Sequence, residues 1–181
     1  MKVSASLKNY KMINLRVGEP VVLEDLLDKK EFRAHEIQRL QSEYPESVVL
    51  SYKLNMMGPI KNNESIQWIF QQGLNQLPPK PRYAKIEMDL VTGPEALFVY
   101  DQERITFKKN MIQIEEQHPL GRLFDLDVNL VKRTDFQAQA RKCLICEDDA
   151  VVCGRSRKHS IDELLDAIEL MVINLYNKDI S

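Results

Sequence analysis

The stretch His118-Pro119-Leu120-Gly121-Arg122-Leu123-Phe124-Asp125-Leu126-Asp127-Val128 constrains this chain more than any other. From Leu123 to Val128 every position is apolar except two aspartates. A strand sends alternate side chains to opposite faces, so Phe124, Leu126 and Val128 belong to a core and Asp125 and Asp127 share the other face. Two carboxylates on one face repel unless a positive charge sits between them. A hard cation such as Mg²⁺, which takes one or two carboxylates together with substrate phosphates, meets that need. Gly121 permits a tight turn or a close approach to a ligand, and the Arg122 guanidinium is a fork suited to phosphate. The competing reading is an amphipathic strand with a solvated acidic face.

The rest of the chain supplies helices and strands around this segment. Residues 1–19 carry no clear period and read as a poorly ordered N-terminal arm, with residues 20–181 as the domain. Val22, Leu23, Leu26 and Leu27 form an apolar helical stripe, and a second stretch carries Phe32, Ile37 and Leu40 before Pro45. Ser47 to Leu54 reads as a strand leading into the turn Met57-Gly58-Pro59-Ile60-Lys61, then a helix over about 63–77 that the prolines after Leu77 stop. A strand, a glycine turn and a helix start can bind anions through backbone N–H groups, with Gly58 and Lys61 placed to assist. A plain β-to-α turn explains the same spacing.

Lys85 to Val91 and Ala96 to Tyr100 read as a hairpin around Thr92-Gly93-Pro94-Glu95. A helix over 102–117 places Lys108 and Glu115 on one face and delivers His118 to the aspartate strand, and Asn129 to Phe136 reads as a strand end or second hairpin arm. Ser160 and Glu163 have capping-box spacing and open a last helix over 160–177. The predicted fold is a single α+β domain, a mixed, mainly antiparallel sheet flanked by helices, with the aspartate strand near its centre.

Net charge −2 and a pI near 6.0 argue against a general nucleic-acid binder. No apolar run approaches a membrane span or a signal peptide. Three cysteines suit a reducing compartment, so the cytoplasm is the expected location. Cys143, Cys146, Cys153 and His159 could instead supply four ligands for tetrahedral Zn²⁺, or the cysteines could be small buried hydrophobes. Arg155, Arg157 and Lys158 could meet phosphates or pair with Glu147, Asp148 and Asp149.

Taken in order, the Met57-Gly58-Pro59-Ile60-Lys61 turn, the Thr92-Gly93-Pro94-Glu95 turn, the His118 to Val128 segment and Arg141-x-Cys143-Leu144-x-Cys146 with Cys153 and His159 resemble the apo-citrate lyase phosphoribosyl-dephospho-CoA transferase family, the holo-citrate lyase synthases. The resemblance runs from about residue 48 to about 172. It implies transfer of the prosthetic group from triphosphoribosyl-dephospho-CoA to a serine of the citrate lyase acyl-carrier (gamma) subunit, with release of pyrophosphate. The aspartate strand is also similar to the metal strand of nucleotidyltransferases. On this reading Asp125 and Asp127 hold Mg²⁺. Arg122, Lys61, Arg155 and Arg157, with Gly58 and Gly121, hold phosphates, and His118, an aspartate or a metal-bound alkoxide accounts for deprotonation of the serine. The alternatives are a non-catalytic zinc-stabilised interaction module and a nucleotidyltransferase with another donor, such as ATP.

Overall fold

Period-2 and period-3.6 patterns each settle into their own layer of the fold. A computed structural model describes residues 13–136 and 140–180. Its four strands, β1 (Val48–Leu54), β2 (Tyr83–Glu87), β3 (Glu95–Tyr100) and β4 (Phe124–Val128), form one sheet in the order β2-β3-β1-β4. Every pairing is antiparallel, including the β2–β3 hairpin. The five helices are α1 (Leu23–Glu43), α2 (Glu64–Leu74), α3 (Arg104–Gln117), α4 (Ala150–Ser156) and α5 (Ile161–Ile180).

The register sorts side chains by face. Leu50 opposite Val128, Tyr52 opposite Leu126 and Leu54 opposite Phe124 put one apolar row across β1 and β4. Ala96, Phe98 and Tyr100 of β3 extend it. Residues of α2 (Ile66, Ile69, Phe70), α3 (Phe107, Met111) and α5 (Leu165, Ile168, Val172) close this core. Fully burying a side chain such as Phe124 stabilises by about 1.5–3 kcal/mol. Tyr52 stacks on Phe70 with ring centroids 4.4 Å apart and donates its hydroxyl to Phe70 O. Gly73 makes room for it, since a Cβ there would lie 1.9 Å from Tyr52 Oη.

On the opposite face α1 covers only part of the sheet. Leu40, with Ile37 and Tyr44, packs on Val49, Leu97 and Val99. Its first half differs from the sequence expectation: Val22, Leu23, Leu27 and Phe32 are exposed, so the apolar stripe faces outward. What ties that half to the sheet is charge. Glu87 and Glu95 stand directly opposite each other on β2 and β3, a repulsive pair. Lys29 bridges both, at 3.0 and 2.9 Å, and Arg33 reaches Glu95 at 2.6 Å.

Three expectations need correction. The sheet is not mixed, and the aspartate strand β4 is an edge strand rather than a central one. Residues 129–136 form no strand. Leu130 adopts φ 63°, and a 3₁₀ turn follows at Arg133–Phe136. Asn129 ends the ladder by bonding Val49 through both main-chain N–H and side-chain Oδ1. The free edge of β4 is instead closed by α3: Lys108 Nζ donates to Leu126 O at 2.9 Å, and Glu115 Oε1 accepts from Leu126 N at 3.0 Å. Both side chains are buried, which explains their seven-residue spacing on one helical face. Ile105, in the first turn of α3, is exposed. Helix α4 carries no long period and was not expected.

The N-terminal arm falls partly outside the described residues, which begin at 13. From there the chain is packed: Leu15 is buried, and Asn63 Nδ2 donates to Asn14 O and Val17 O. No helix among the described residues is long and apolar enough to cross a membrane.

Candidate active site

Strand alternation delivers the two aspartates as read. Phe124, Leu126 and Val128 are buried, Asp125 is half-buried and Asp127 is exposed on the other face. Directly opposite them on β1 stand Lys53 and Ser51. Lys53 forms an ion pair with Asp125. Burial pushes the Lys53 ammonium below the usual lysine value, Asp127 pulls it back, and Arg33 and Arg141 add to the depression.

Asp125 stands between two groups of cations. On one side Lys53 lines a small cavity of about 40 Å³ with Arg33, Lys61 and the Thr92–Glu95 turn. The two glycine turns meet here, because a Cβ on Gly93 (φ +105°) would lie 3.0 Å from Lys61 O. Lys61 Nζ donates to Met56 O at 2.5 Å, and burial lowers its pKa. On the other side Arg141 lies 4.0 Å from Asp125 and 2.7 Å from Glu115.

Arg141 also lines a larger cavity of about 660 Å³, together with Arg122, Lys142, Arg157 and Asn55. Arg122 reaches it from a 3₁₀ turn, Gly121–Leu123, whose exit is tied to β1 by the Asn55 N–H to Leu123 O bond. The Arg122 Nε is buried without a hydrogen-bond partner. Burial, with Arg141 nearby, lowers its pKa. A half-buried guanidinium with an unsatisfied Nε favours an anion.

Of the other expected phosphate ligands, Arg157 lines the cavity and sits at the left-handed C-cap of α4 (φ 49°), while Arg155 is exposed on α4. Lys158 pairs with Asp148 at 2.6 Å. Gly58 (φ +76°) packs a backbone corner against Ile161 Cγ2, 3.2 Å from an added Cβ. Gly121 is required by packing: a Cβ there would lie 2.5 Å from Glu115 O and 2.6 Å from Ile114 O. The close approach it permits is to α3.

His118 is placed apart from this cluster. It caps α3, its Nδ1 accepts from Leu120 N at 3.0 Å, and its ring lies 4.9 Å from that of Phe124. Phe124 points to the apolar face, opposite to the aspartates. His118 lines a separate cleft with Pro78, Pro79 and Gln117.

Two residues that tie the site together drew no functional reading from sequence. Glu115, buried on α3, bonds Leu126 N and binds Arg133 at 3.0 Å and Arg141 at 2.7 Å. Lys53 drew none because the β1–β4 register that places it beside Asp125 is tertiary; the only local signal was the shared face of Lys108 and Glu115. Among metal-ligating groups, Cys143, Cys146, Cys153 and His159 have their ligand atoms all within 4.8 Å of one another. Asp125 and Asp127 share one face of β4, where Asp125 is paired with Lys53.

The family model described as apo-citrate lyase phosphoribosyl-dephospho-CoA transferase matches residues 21–175. A probable apo-citrate lyase phosphoribosyl-dephospho-CoA transferase of Streptococcus pyogenes serotype M3 is 34% identical over 174 residues, covering 90% of this chain and 91% of that protein. One from Vibrio cholerae serotype O1 is 38% identical over 166 residues, covering 83% and 91%. "Protein CitXG" of Haemophilus influenzae is 38% identical over 168 residues, and there the match spans 87% of this chain but only 36% of that protein.

Proposed function

The chain belongs to the apo-citrate lyase phosphoribosyl-dephospho-CoA transferase family, and from that premise we propose that it transfers the phosphoribosyl-dephospho-CoA group onto apo-citrate lyase. The donor in this reading is triphosphoribosyl-dephospho-CoA and the acceptor a serine of the acyl-carrier (gamma) subunit. The serine oxygen bonds to the innermost phosphorus of the triphosphate, and the bond from that phosphorus to pyrophosphate breaks. A phosphodiester remains on the carrier, and the serine proton leaves towards the strand carboxylates. The outline is that of nucleotidyl transfer.

The observation that carries this reading is the position of Asp125 between two sets of cations, one of which is continued by the half-buried Arg122 with its unsatisfied Nε. Lys53, Lys108, Arg122, Arg133 and Arg141 outnumber Asp125, Asp127, Glu115 and Glu116 by one, a local surplus suited to a polyanion. Asp125 and Asp127 would hold Mg²⁺, which neutralises charge on the attacked phosphate and on the leaving pyrophosphate. Arg122 and Arg157 hold the phosphates from the cavity wall, and Lys53 releases Asp125 as the polyanion enters. Lys142, Arg155 and Arg157 form the basic rim that an acidic carrier would meet. His118 orients the start of β4 through Leu120 and Phe124. The free cysteines fit a cytoplasmic enzyme.

The test is transfer of labelled prosthetic group to purified apo acyl-carrier subunit with Mg²⁺, comparing wild type with Asp125→Asn and Asp127→Asn. Folded variants should lose both carrier labelling and pyrophosphate release, by about 10²-fold or more. Equal transfer by all three proteins would remove the aspartates from the chemistry. Labelling supported equally by ATP would point to a different donor.

A further inference from the structure

Residues 140–160 bury little, with Leu144 packed against the main core. Cys153 alone among them is buried. Helix α4 is short, and its outward residues Val151 and Val152 are exposed. Yet the segment presents Arg141, Lys142 and Arg157 to the large cavity. Small units that bury little apolar area are commonly held by a covalent or metal cross-link.

We propose that Cys143, Cys146, Cys153 and His159 bind one structural Zn²⁺ that fixes this cavity wall. The Cys143 and Cys153 sulfurs are 3.5 Å apart, His159 Nε2 is 3.2 Å from Cys146 Sγ, and all four ligand atoms lie within 4.8 Å of one another. Zinc–sulfur bonds of about 2.3 Å place tetrahedral sulfurs about 3.8 Å apart, so the cage has the right size. No pair of these sulfurs is joined as a disulfide.

The backbone around the cage is shaped for it. The Lys142–Asp149 bridge closes a turn whose Cys143 N–H bonds Asp148 O and whose Ala150 N–H bonds Arg141 O, each at 2.8 Å. That turn brings Cys143 and Cys146 back towards α4. Asp149 caps α4 through Val151 N and orients Cys153 inward, and the left-handed turn at Arg157 swings His159 back to Cys146. The Ile145 N–H points at Cys143 Sγ at 3.5 Å, a donor for a thiolate. Four ligands from the protein leave no open position, which marks a structural rather than a catalytic zinc. The aspartate strand is a separate feature, so the zinc reading stands or falls independently of the transfer reaction.

The experiment is metal analysis of the full-length protein, purified under reducing conditions without chelator, beside Cys146→Ser and His159→Ala. Wild type should carry close to one zinc per chain, released when a mercurial blocks the thiols. Its Co²⁺-exchanged form should show tetrahedral d–d bands with thiolate-to-cobalt charge transfer. Both variants should lose stoichiometric zinc, and Cys146→Ser should weaken the charge-transfer band. Metal-free wild type that is folded by circular dichroism and binds no Co²⁺ would overturn the proposal. So would a disulfide in place of two free thiols under reducing purification.

Discussion

At the scale of single residues, Arg122 is the most informative side chain. Its sequence position beside a glycine suggested a phosphate ligand, and the fold places it in a cavity with its buried Nε unpartnered. An unsatisfied buried polar atom destabilises the native state. Arg122→Met should therefore leave the urea unfolding midpoint unchanged or raised, while kcat/KM for the donor falls by about 10²-fold. A variant that transfers normally would remove Arg122 from phosphate binding. His118 shows the opposite case: its residue type suggested acid–base chemistry, but its imidazole accepts from Leu120 N–H and packs against Phe124. No sequence pattern says which face of β4 a histidine at this position meets, because that depends on how α3 packs against the sheet.

At the scale of elements, α3 does more than cover the core. It closes the free edge of β4 with Lys108 and Glu115, and through Glu115 it holds Arg133 and Arg141. Its start depends on Glu103, whose side chain accepts from Thr106 N at 2.7 Å and Ile105 N at 2.8 Å. The bond from Thr106, followed by that from Ile105, holds this carboxyl below the ordinary glutamate value of 4.5. A carboxylate depressed on folding stabilises the protein above its unfolded pKa, and that contribution is lost as pH falls through the folded value. Thermal unfolding of wild type and Glu103→Gln should thus differ at neutral pH and converge as the pH is taken well below 4.5. A gap independent of pH would mean that the cap acts by shape rather than charge. The elements themselves were largely legible from periodicity: β1, β3, α2, α3 and α5 lie close to where alternation and helical spacing put them, while β2 covers Tyr83–Glu87 rather than Lys85 to Val91 and turns Ile86 outward. The first half of α1 was not, since its apolar stripe faces outward and Lys29 and Arg33 anchor it by ion pairs that a periodicity cannot reveal.

At the scale of the molecule, the sheet with its helices forms one cooperative core, and residues 140–160 lean on it. Stripping metal with a strong chelator should open that segment alone, because local units with few buried contacts unfold below the global transition. Limited trypsin digestion should then cut first at Arg155, Arg157 or Lys158, while far-UV circular dichroism keeps the sheet signal. Unchanged cleavage in chelator would mean that packing, not metal, holds the segment. The alternating aspartate strand, the helices near it, the ligand types of the cysteine cluster and the family were all readable along the chain. These are local patterns, written in the spacing of neighbouring residues and read without knowing what lies across the fold. That β4 is an edge strand, that Lys53 and Arg141 flank Asp125, that Glu115 joins α3 to the cavity wall, and that four metal-ligating atoms converge emerged from the folded arrangement. Each of these depends on which strand pairs with which and on which helix closes the open edge. Those choices are set by the fit of distant apolar faces and by the need to satisfy buried charge.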